Sequence, residues 1–124
     1  CQCGAVSYRA EGLRDIWYCH CRQCRRATGH FMAACRTERE SLAIEGEPRW
    51  AQHSHDSQIG FCGDCGSPLF WQNPEMPTIS VIAGGLDNTD GLATPGHIYA
   101  AEKGDYYSID DGLPVCDYRP DGGC

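Results

Sequence analysis

Short runs of apolar residues alternate with polar turns along this chain. The runs do not follow the 3.6-residue period of a long amphipathic helix, and Gly, Pro, Asn and Asp separate them. The strands that this pattern predicts are Ala5–Arg9, Ile16–Cys19, Phe31–Arg36, Leu42–Ile44, Ile59–Cys62, Leu69–Gln72, Thr78–Ala83 and Ile98–Ala100. We therefore expect a mostly β fold, and the length of 124 residues favours a single domain over residues 1–124.

One segment departs from the strand pattern. Cys21–Thr28 is helical in character, and Gly29 is expected to end it. In the third predicted strand, a period of two places Phe31, Ala33 and Cys35 on one face. We expect that face to be buried.

Cysteine is the most informative residue type here, because ten cysteines far exceed ordinary usage for this length. Seven of them fall into three clusters: Cys1-Gln2-Cys3, Cys19-His20-Cys21-Arg22-Gln23-Cys24 and Cys62-Gly63-Asp64-Cys65. The C-x-x-C spacing lets both sulfurs reach one zinc ion at about 2.3 Å. A disulfide within C-x-C would close a ring far from normal bridge geometry, so the clusters favour metal binding.

The seven sulfurs divide unequally between two sites. A structural zinc takes four ligands, whereas a catalytic zinc keeps three and leaves one position for a ligand. The closed set of four is predicted to be Cys1, Cys3, Cys62 and Cys65. The open, catalytic set of three is predicted to be Cys19, Cys21 and Cys24. We therefore expect two zinc ions per chain.

An alternative for the second set stays open at this point. The three cysteines could borrow a fourth ligand and form another structural site. The residues that could supply it are Cys35, Cys116, His20 and His30. In that case the second zinc would have no exchangeable position.

Three arginines, Arg22, Arg25 and Arg26, surround the second set in an otherwise acidic chain. They could offset thiolate charge or bind the carboxylates of a substrate, and they could equally be solvated surface residues. Three thiolates on Zn²⁺ leave a net charge of about −1, which suits exchange of thiol ligands better than activation of water.

The charge balance excludes other partners. Ten Lys plus Arg stand against seventeen Asp plus Glu, a net charge of −7 that repels nucleic acid and anionic membrane surfaces. No apolar run has the length of a signal sequence or a membrane span, so we expect a cytoplasmic protein. The sequence does not indicate an oligomeric state.

Motifs along nearly the whole chain carry a family resemblance. They are Cys1-x-Cys3-Gly4-x-Val6-x-Tyr8, Cys19-His20-Cys21-x-x-Cys24-Arg25-x-x-Thr28-Gly29, Phe61-Cys62-x-x-Cys65-Gly66-Ser67-x-Leu69-Phe70, and His97-Ile98 with Asp111-Gly112-Leu113-Pro114. With them the chain resembles the glutathione-dependent formaldehyde-activating enzyme family, also described as the aldehyde-activating or centromere protein V group.

The resemblance implies a fold and an activity. The fold is the Mss4-like zinc-containing β-sheet fold, with a structural zinc matched by the set of four cysteines and a catalytic zinc matched by the set of three. The activity joins formaldehyde to glutathione as S-hydroxymethylglutathione, formally a carbon-sulfur lyase reaction in reverse. The expected partners are therefore a small-molecule thiol and an aldehyde.

Two other function classes remain as alternatives: a non-catalytic zinc-stabilised protein-interaction module, and a nucleic-acid-binding zinc ribbon that only the arginines favour. Several residues are expected to have structural roles. Solvated loop or edge positions are expected for His53 and His55, and core positions for Trp17, Tyr18, Phe70 and Trp71. Asp110 and Asp111 are expected to form a turn, and Cys116 and Cys124 could be free surface thiols.

Overall fold

Strands dominate the structure, as the short apolar runs predict. The structure is a computed structural model and describes residues 1–120 and 124. Over these residues the elements are β1 Ser7–Ala10, β2 Trp17–Cys19, α1 Arg22–Thr28, β3 Met32–Glu38, β4 Leu42–Glu45, β5 Arg49–Gln52, β6 Gln58–Phe61, β7 Pro68–Gln72, β8 Thr78–Ile82 and β9 Gly96–Ile98. The prediction of a mostly β, single-domain fold is confirmed.

The strands form one large and one small sheet. The large sheet has the order β5-β6-β7-β8-β3-β2-β9, and the small one pairs β1 with β4. Every pairing is antiparallel except that of β2 with β9, which is parallel. Of the two strands that flank the helix, β3 lies next to the central strand β8 and β2 lies next to the edge strand β9.

The hydrophobic core lies between the two sheets. Phe70, Val81 and Cys35 are neighbours across β7, β8 and β3, and all three are almost completely buried. The ring of Tyr8, from the small sheet, meets Phe70 edge-on with centroids 5.1 Å apart. Burying one side chain of this size contributes about 1.5–3 kcal/mol, so this face stabilises the sheet packing.

The opposite face of β3 is partly covered by α1. Met32 is 2% exposed, and its sulfur lies 3.8 Å from the sulfur of the helical Cys24. The expectation of one buried face was therefore right for Cys35 and wrong for Phe31, which lies before β3 and is only half-buried. The helix buries the other face locally, and strand periodicity cannot show that.

The helix begins and ends close to the predicted residues. Cys21 caps its start by accepting a hydrogen bond from the backbone N–H of Cys24. Gly29 ends it in the left-handed conformation, with φ +81° and its N–H bonded to the carbonyl of Arg25. Among the described residues, no helix has the length and apolar character that a membrane crossing requires.

Two strands differ from the prediction. β5 was missed because all four of its residues are exposed, so it lacks an alternating apolar pattern. β9 ends at Ile98 instead of starting there, and a 3-10 turn follows at Ala100–Glu102. The parallel pairing of β9 with β2 is a long-range contact that fixes this register.

Candidate metal sites and the adjoining cavity

The set of four cysteines converges at one edge of the fold. The sulfurs of Cys1, Cys3, Cys62 and Cys65 all lie within 4.8 Å of one another. The Cys1–Cys3 and Cys3–Cys62 sulfur distances are 3.7 Å and 3.8 Å. A tetrahedron of sulfurs 2.3 Å from a zinc ion has edges of about 3.8 Å. The donor set therefore fits zinc, and its role as a zinc site stays a prediction.

Local backbone geometry builds this first site. Gly4 and Gly66 follow the two cysteine pairs with φ near +80°, which side chains with a Cβ rarely adopt. The Gly66 N–H donates to the carbonyl of Cys62 at 2.8 Å and closes the turn. A hydrogen bond from the Ser67 hydroxyl is the main cause that lowers the pKa of the Cys65 thiol to about 6. At Cys65 this hydrogen bond favours the thiolate that a metal needs, whereas the pKa of the Cys3 thiol is raised.

The set of three cysteines comes from the junction of β2 and α1. Cys19 ends β2, Cys21 caps the helix, and Cys24 lies in its first turn, three residues after Cys21 and on the same side. Their sulfurs also lie within 4.8 Å of one another, and Cys24 is buried. The fold therefore brings together the three residues that spacing grouped.

Without metal, these thiols share negative charge unequally. Hydrogen bonds from Cys19 and Cys24, with a smaller contribution from His53, hold the pKa of Cys21 far below its usual range. The hydrogen bond to Cys21 raises the pKa of Cys19 to about 12, and the bond to Cys19 raises that of Cys24 further. Since a metal binds thiolates, loading this site would release the remaining protons.

None of the four residues considered as a fourth ligand belongs to this group. Cys35 lies in the core and approaches the Val81 carbonyl. Cys116 is buried and bonded to Cys124, so the expectation of two free surface thiols was wrong. His30 packs against Phe31 and Tyr107 instead.

His20 lies in a buried chain of hydrogen bonds. Its two ring nitrogens contact the Tyr107 hydroxyl at 2.6 Å and His97 Nδ1 at 2.8 Å, and His97 Nε2 contacts the Asp111 carboxylate at 2.9 Å. Burial, the largest cause, lowers the pKa of His20 to about 4, so its ring is neutral. The pattern fits Tyr107 O–H donating to His20, His20 to His97, and His97 to Asp111. Asp111 also accepts the N–H of Leu113, as the predicted turn requires.

A different histidine lies at the three cysteines. His53 lies in the loop directly after the edge strand β5, and its Nε2 is 3.7 Å from the Cys24 sulfur, so its side chain is not simply solvated. His55, two residues later, does have an exposed side chain. The hairpin of β5 and β6 brings His53 to this position. Sequence reasoning missed the residue because it missed β5, and no local spacing links His53 to Cys24.

The three cysteines lie in the wall of a cavity of about 730 Å³ on the face of the large sheet opposite the core. Trp17 and Trp71 line it, so their expected core placement was wrong, whereas Phe70 is fully buried as expected. A cavity of this size can enclose a small organic molecule. The wall therefore combines candidate metal ligands with aromatic surface.

The arginines of the cavity are not those singled out by sequence. Arg14, Arg36 and Arg119 line it, whereas Arg22, Arg25 and Arg26 do not. Arg25 instead donates to the carbonyls of His20 and Glu102, and so holds α1 to the segment that follows β9. The expected proximity to the cysteines was correct, but the arginine side chains of α1 lie outside the cavity.

Both the sequence and the fold resemble those of known proteins. The family model described as "Glutathione-dependent formaldehyde-activating enzyme" matches residues 1–102. No curated protein matches the sequence significantly. Among three matching solved chains, one is a crystal structure of a Rhodobacter sphaeroides protein. It has a TM-score of 0.59 and 25% identity, over 76% of this chain and 94% of the other.

Proposed function

Because this chain belongs to the glutathione-dependent formaldehyde-activating enzyme family, we propose that it joins the thiol of glutathione, or of a similar molecule, to formaldehyde or another small aldehyde. The S–H bond and the carbonyl π bond break, the sulfur forms a bond to the carbonyl carbon, and the oxygen takes up a proton to become a hydroxyl group. The product is an S-hydroxymethyl adduct. In the reverse direction the reaction is a carbon-sulfur lyase reaction.

The observation that carries this proposal is the position of Cys19, Cys21 and Cys24. Their sulfurs cluster in the wall of a cavity that can enclose a tripeptide thiol. Three sulfurs without a fourth cysteine match the ligand count of a catalytic zinc. When bound there, zinc would favour the thiolate of the incoming thiol and polarise the aldehyde carbonyl.

The side chains around the cavity would orient the thiol. Glutathione carries two carboxylates, and arginine binds carboxylates through paired hydrogen bonds. Arg36 on β3 is exposed in the cavity wall and, within the part of the chain that the structure describes, forms no salt bridge. Trp17 and Trp71 would cover the apolar atoms of the ligand.

The other four cysteines, Cys1, Cys3, Cys62 and Cys65, would hold a structural zinc. That ion would join the start of the chain to the turn between β6 and β7, which lies about sixty residues later. Binding free energy at such sites is folding free energy. The proposal therefore implies two zinc ions per chain, one structural and one catalytic.

Exchange NMR with ¹³C-formaldehyde and glutathione tests the proposal, since it measures formation and cleavage of the adduct at equilibrium. Adding the protein should accelerate exchange above the spontaneous rate. Cys21→Ser should abolish the acceleration while the melting temperature stays close to that of the unchanged protein. Cys35→Ala, which removes a buried thiol outside both sets, is the matched control and should remain active. A folded Cys21→Ser protein with full acceleration would refute the role of this site.

A further inference from the structure

A fourth donor atom lies beside one of the three cysteine sulfurs. His53 Nε2 is 3.7 Å from the Cys24 sulfur. Zinc bound at about 2.3 Å to sulfur and about 2.0 Å to imidazole nitrogen gives a sulfur–nitrogen edge of about 3.5 Å in a tetrahedron. The distance to Cys24 is close to this edge, whereas His53 lies outside the group whose ligand atoms are all within 4.8 Å of one another, so its ring must move toward the other two sulfurs when metal binds.

The chain holds His53 in this position. It is the first residue after β5, and its backbone N–H donates to the Ser57 carbonyl at 2.8 Å. Ser57 is 1% exposed, and its hydroxyl contacts that of Ser54 at 2.5 Å. Asn73, beyond β7, donates to Asp56 of the same loop. The loop is thus tied both to itself and to the sheet, so the imidazole is presented from a fixed base.

Competing donors are engaged elsewhere. His20 is committed to Tyr107 and His97, and His30 packs on the far side against Phe31 and Tyr107. His55 has 92% of its side chain exposed. Within the described residues, His53 is therefore the imidazole that the fold brings next to Cys24.

We propose that His53 Nε2 is the fourth ligand of the second zinc in the resting enzyme, and that the incoming thiolate displaces it. This inference rests on the proposed function, because it assumes a zinc ion held by Cys19, Cys21 and Cys24. Such an exchange would break the bond from the metal to Nε2, form one to the substrate sulfur and release the thiol proton to solvent. The displaced His53 imidazole would remain beside the bound thiolate.

A neutral imidazole suits such a replaceable position. It adds no charge to a site that three thiolates already make negative, whereas a fourth thiolate would bring the net charge to about −2. The ligand also sits on a hairpin loop, separate from the segment that carries the three cysteines. Rotation of the His53 side chain about its fixed backbone would open the position while the cysteines keep the metal.

The test uses the zinc-loaded chain and four proteins: unchanged, His53→Ala, His53→Gln and His55→Ala. His53→Gln keeps a hydrogen-bond donor near the sulfurs but removes the imidazole, so it separates ligation from simple hydrogen bonding. His55→Ala removes an imidazole from the same loop at an exposed position. Zinc X-ray absorption reports imidazole in the shell, and chelator competition and glutathione titration report affinities.

We expect imidazole scattering in the unchanged and His55→Ala proteins and none in the two His53 variants. Zinc affinity at the second site should fall by at least about tenfold in the His53 variants. Losing a residue that only hydrogen-bonds to a ligand already lowers metal affinity by about tenfold or more, and losing a ligand should lower it at least as much. Glutathione should bind them about tenfold more tightly if the imidazole occupies the position some nine-tenths of the time.

The outcomes separate this inference from the proposed function. Two zinc ions with no imidazole scattering in the unchanged protein would overturn the His53 assignment and leave the proposed function standing. Imidazole scattering that persists in both His53 variants would also overturn it, since another histidine would then be the ligand. One zinc per chain, held by four sulfurs, would instead refute the second site itself.

Discussion

Cys65→Ser tests the first zinc site by changing a single atom, the sulfur of Cys65, to oxygen. Cys65 is exposed, so a change from sulfur to oxygen there should be harmless unless the sulfur binds a metal. An ordinary surface substitution in a domain of this size changes the melting temperature by about 2 °C or less. Under the zinc assignment the same change removes one of four ligands that join residues about sixty positions apart.

The expected effect follows from linkage between zinc binding and folding. Loss of a thiolate ligand should weaken zinc binding by at least about a hundredfold, the upper end of what an outer-shell change costs. Since zinc binds the folded state, a hundredfold weaker site should lower the melting temperature of a 124-residue domain by about 10 °C. Complete loss of zinc would lower it further, up to unfolding at ambient temperature.

Circular dichroism melting with and without a strong chelator measures this effect. Asp64→Ser is the matched control, because Asp64 is the exposed neighbour in the same turn and contributes no ligand. Chelator should lower the melting temperature of the unchanged and Asp64→Ser proteins toward that of Cys65→Ser. Melting within about 2 °C of the unchanged protein, together with indifference to chelator, would show that the four cysteines are grouped wrongly.

Other predictions concern the cavity and the core. Arg36→Ala should raise the KM for glutathione about tenfold without changing zinc content, because a charge-assisted hydrogen bond to a carboxylate is lost. Arg9 lies outside the cavity, so Arg9→Ala should leave the KM unchanged. An equal effect of the two substitutions would contradict specific binding of glutathione by Arg36. Tyr8→Phe should stabilise the protein by about 1 kcal/mol at neutral pH, since the buried Tyr8 hydroxyl has no hydrogen-bond partner among the described residues. Burial raises the pKa of Tyr8 to about 12, so between pH 10 and 12 the folded state binds more protons than the unfolded state. The free energy of unfolding therefore falls as the pH rises through that window. Urea titrations across this range should show a shallower alkaline loss for Tyr8→Phe, and identical slopes would refute the assignment.

The cysteine groups could be predicted because their geometry is mostly local. C-x-x-C and C-x-C spacings place their sulfurs near one centre whatever fold surrounds them. Among the three cysteine clusters, the two pairs together supply the four ligands of a closed zinc site and leave the cluster of three. The structure brings the same groups together. Gly4, Gly29 and Gly66 also had local meaning, and each has a positive φ in a turn or helix end.

The rest of the site depends on long-range contacts. His53 reaches Cys24 only through the β5–β6 hairpin, and β5 has no buried residue to reveal it. Trp17 and Trp71 were assigned to the core because strand-like runs do not show which sheet face is left open. The chain from Tyr107 to Asp111 through His20 and His97 requires the parallel pairing of β2 with β9. Such contacts are properties of topology rather than of spacing.

Zinc content per chain, combined with zinc X-ray absorption before and after adding glutathione, tests the central claim most directly. The account predicts two zinc ions, one with an all-sulfur shell that glutathione leaves unchanged. The other shell should hold three sulfurs and gain a fourth from glutathione. A single zinc per chain, or two shells that both ignore glutathione, would contradict a thiol-binding zinc at Cys19, Cys21 and Cys24.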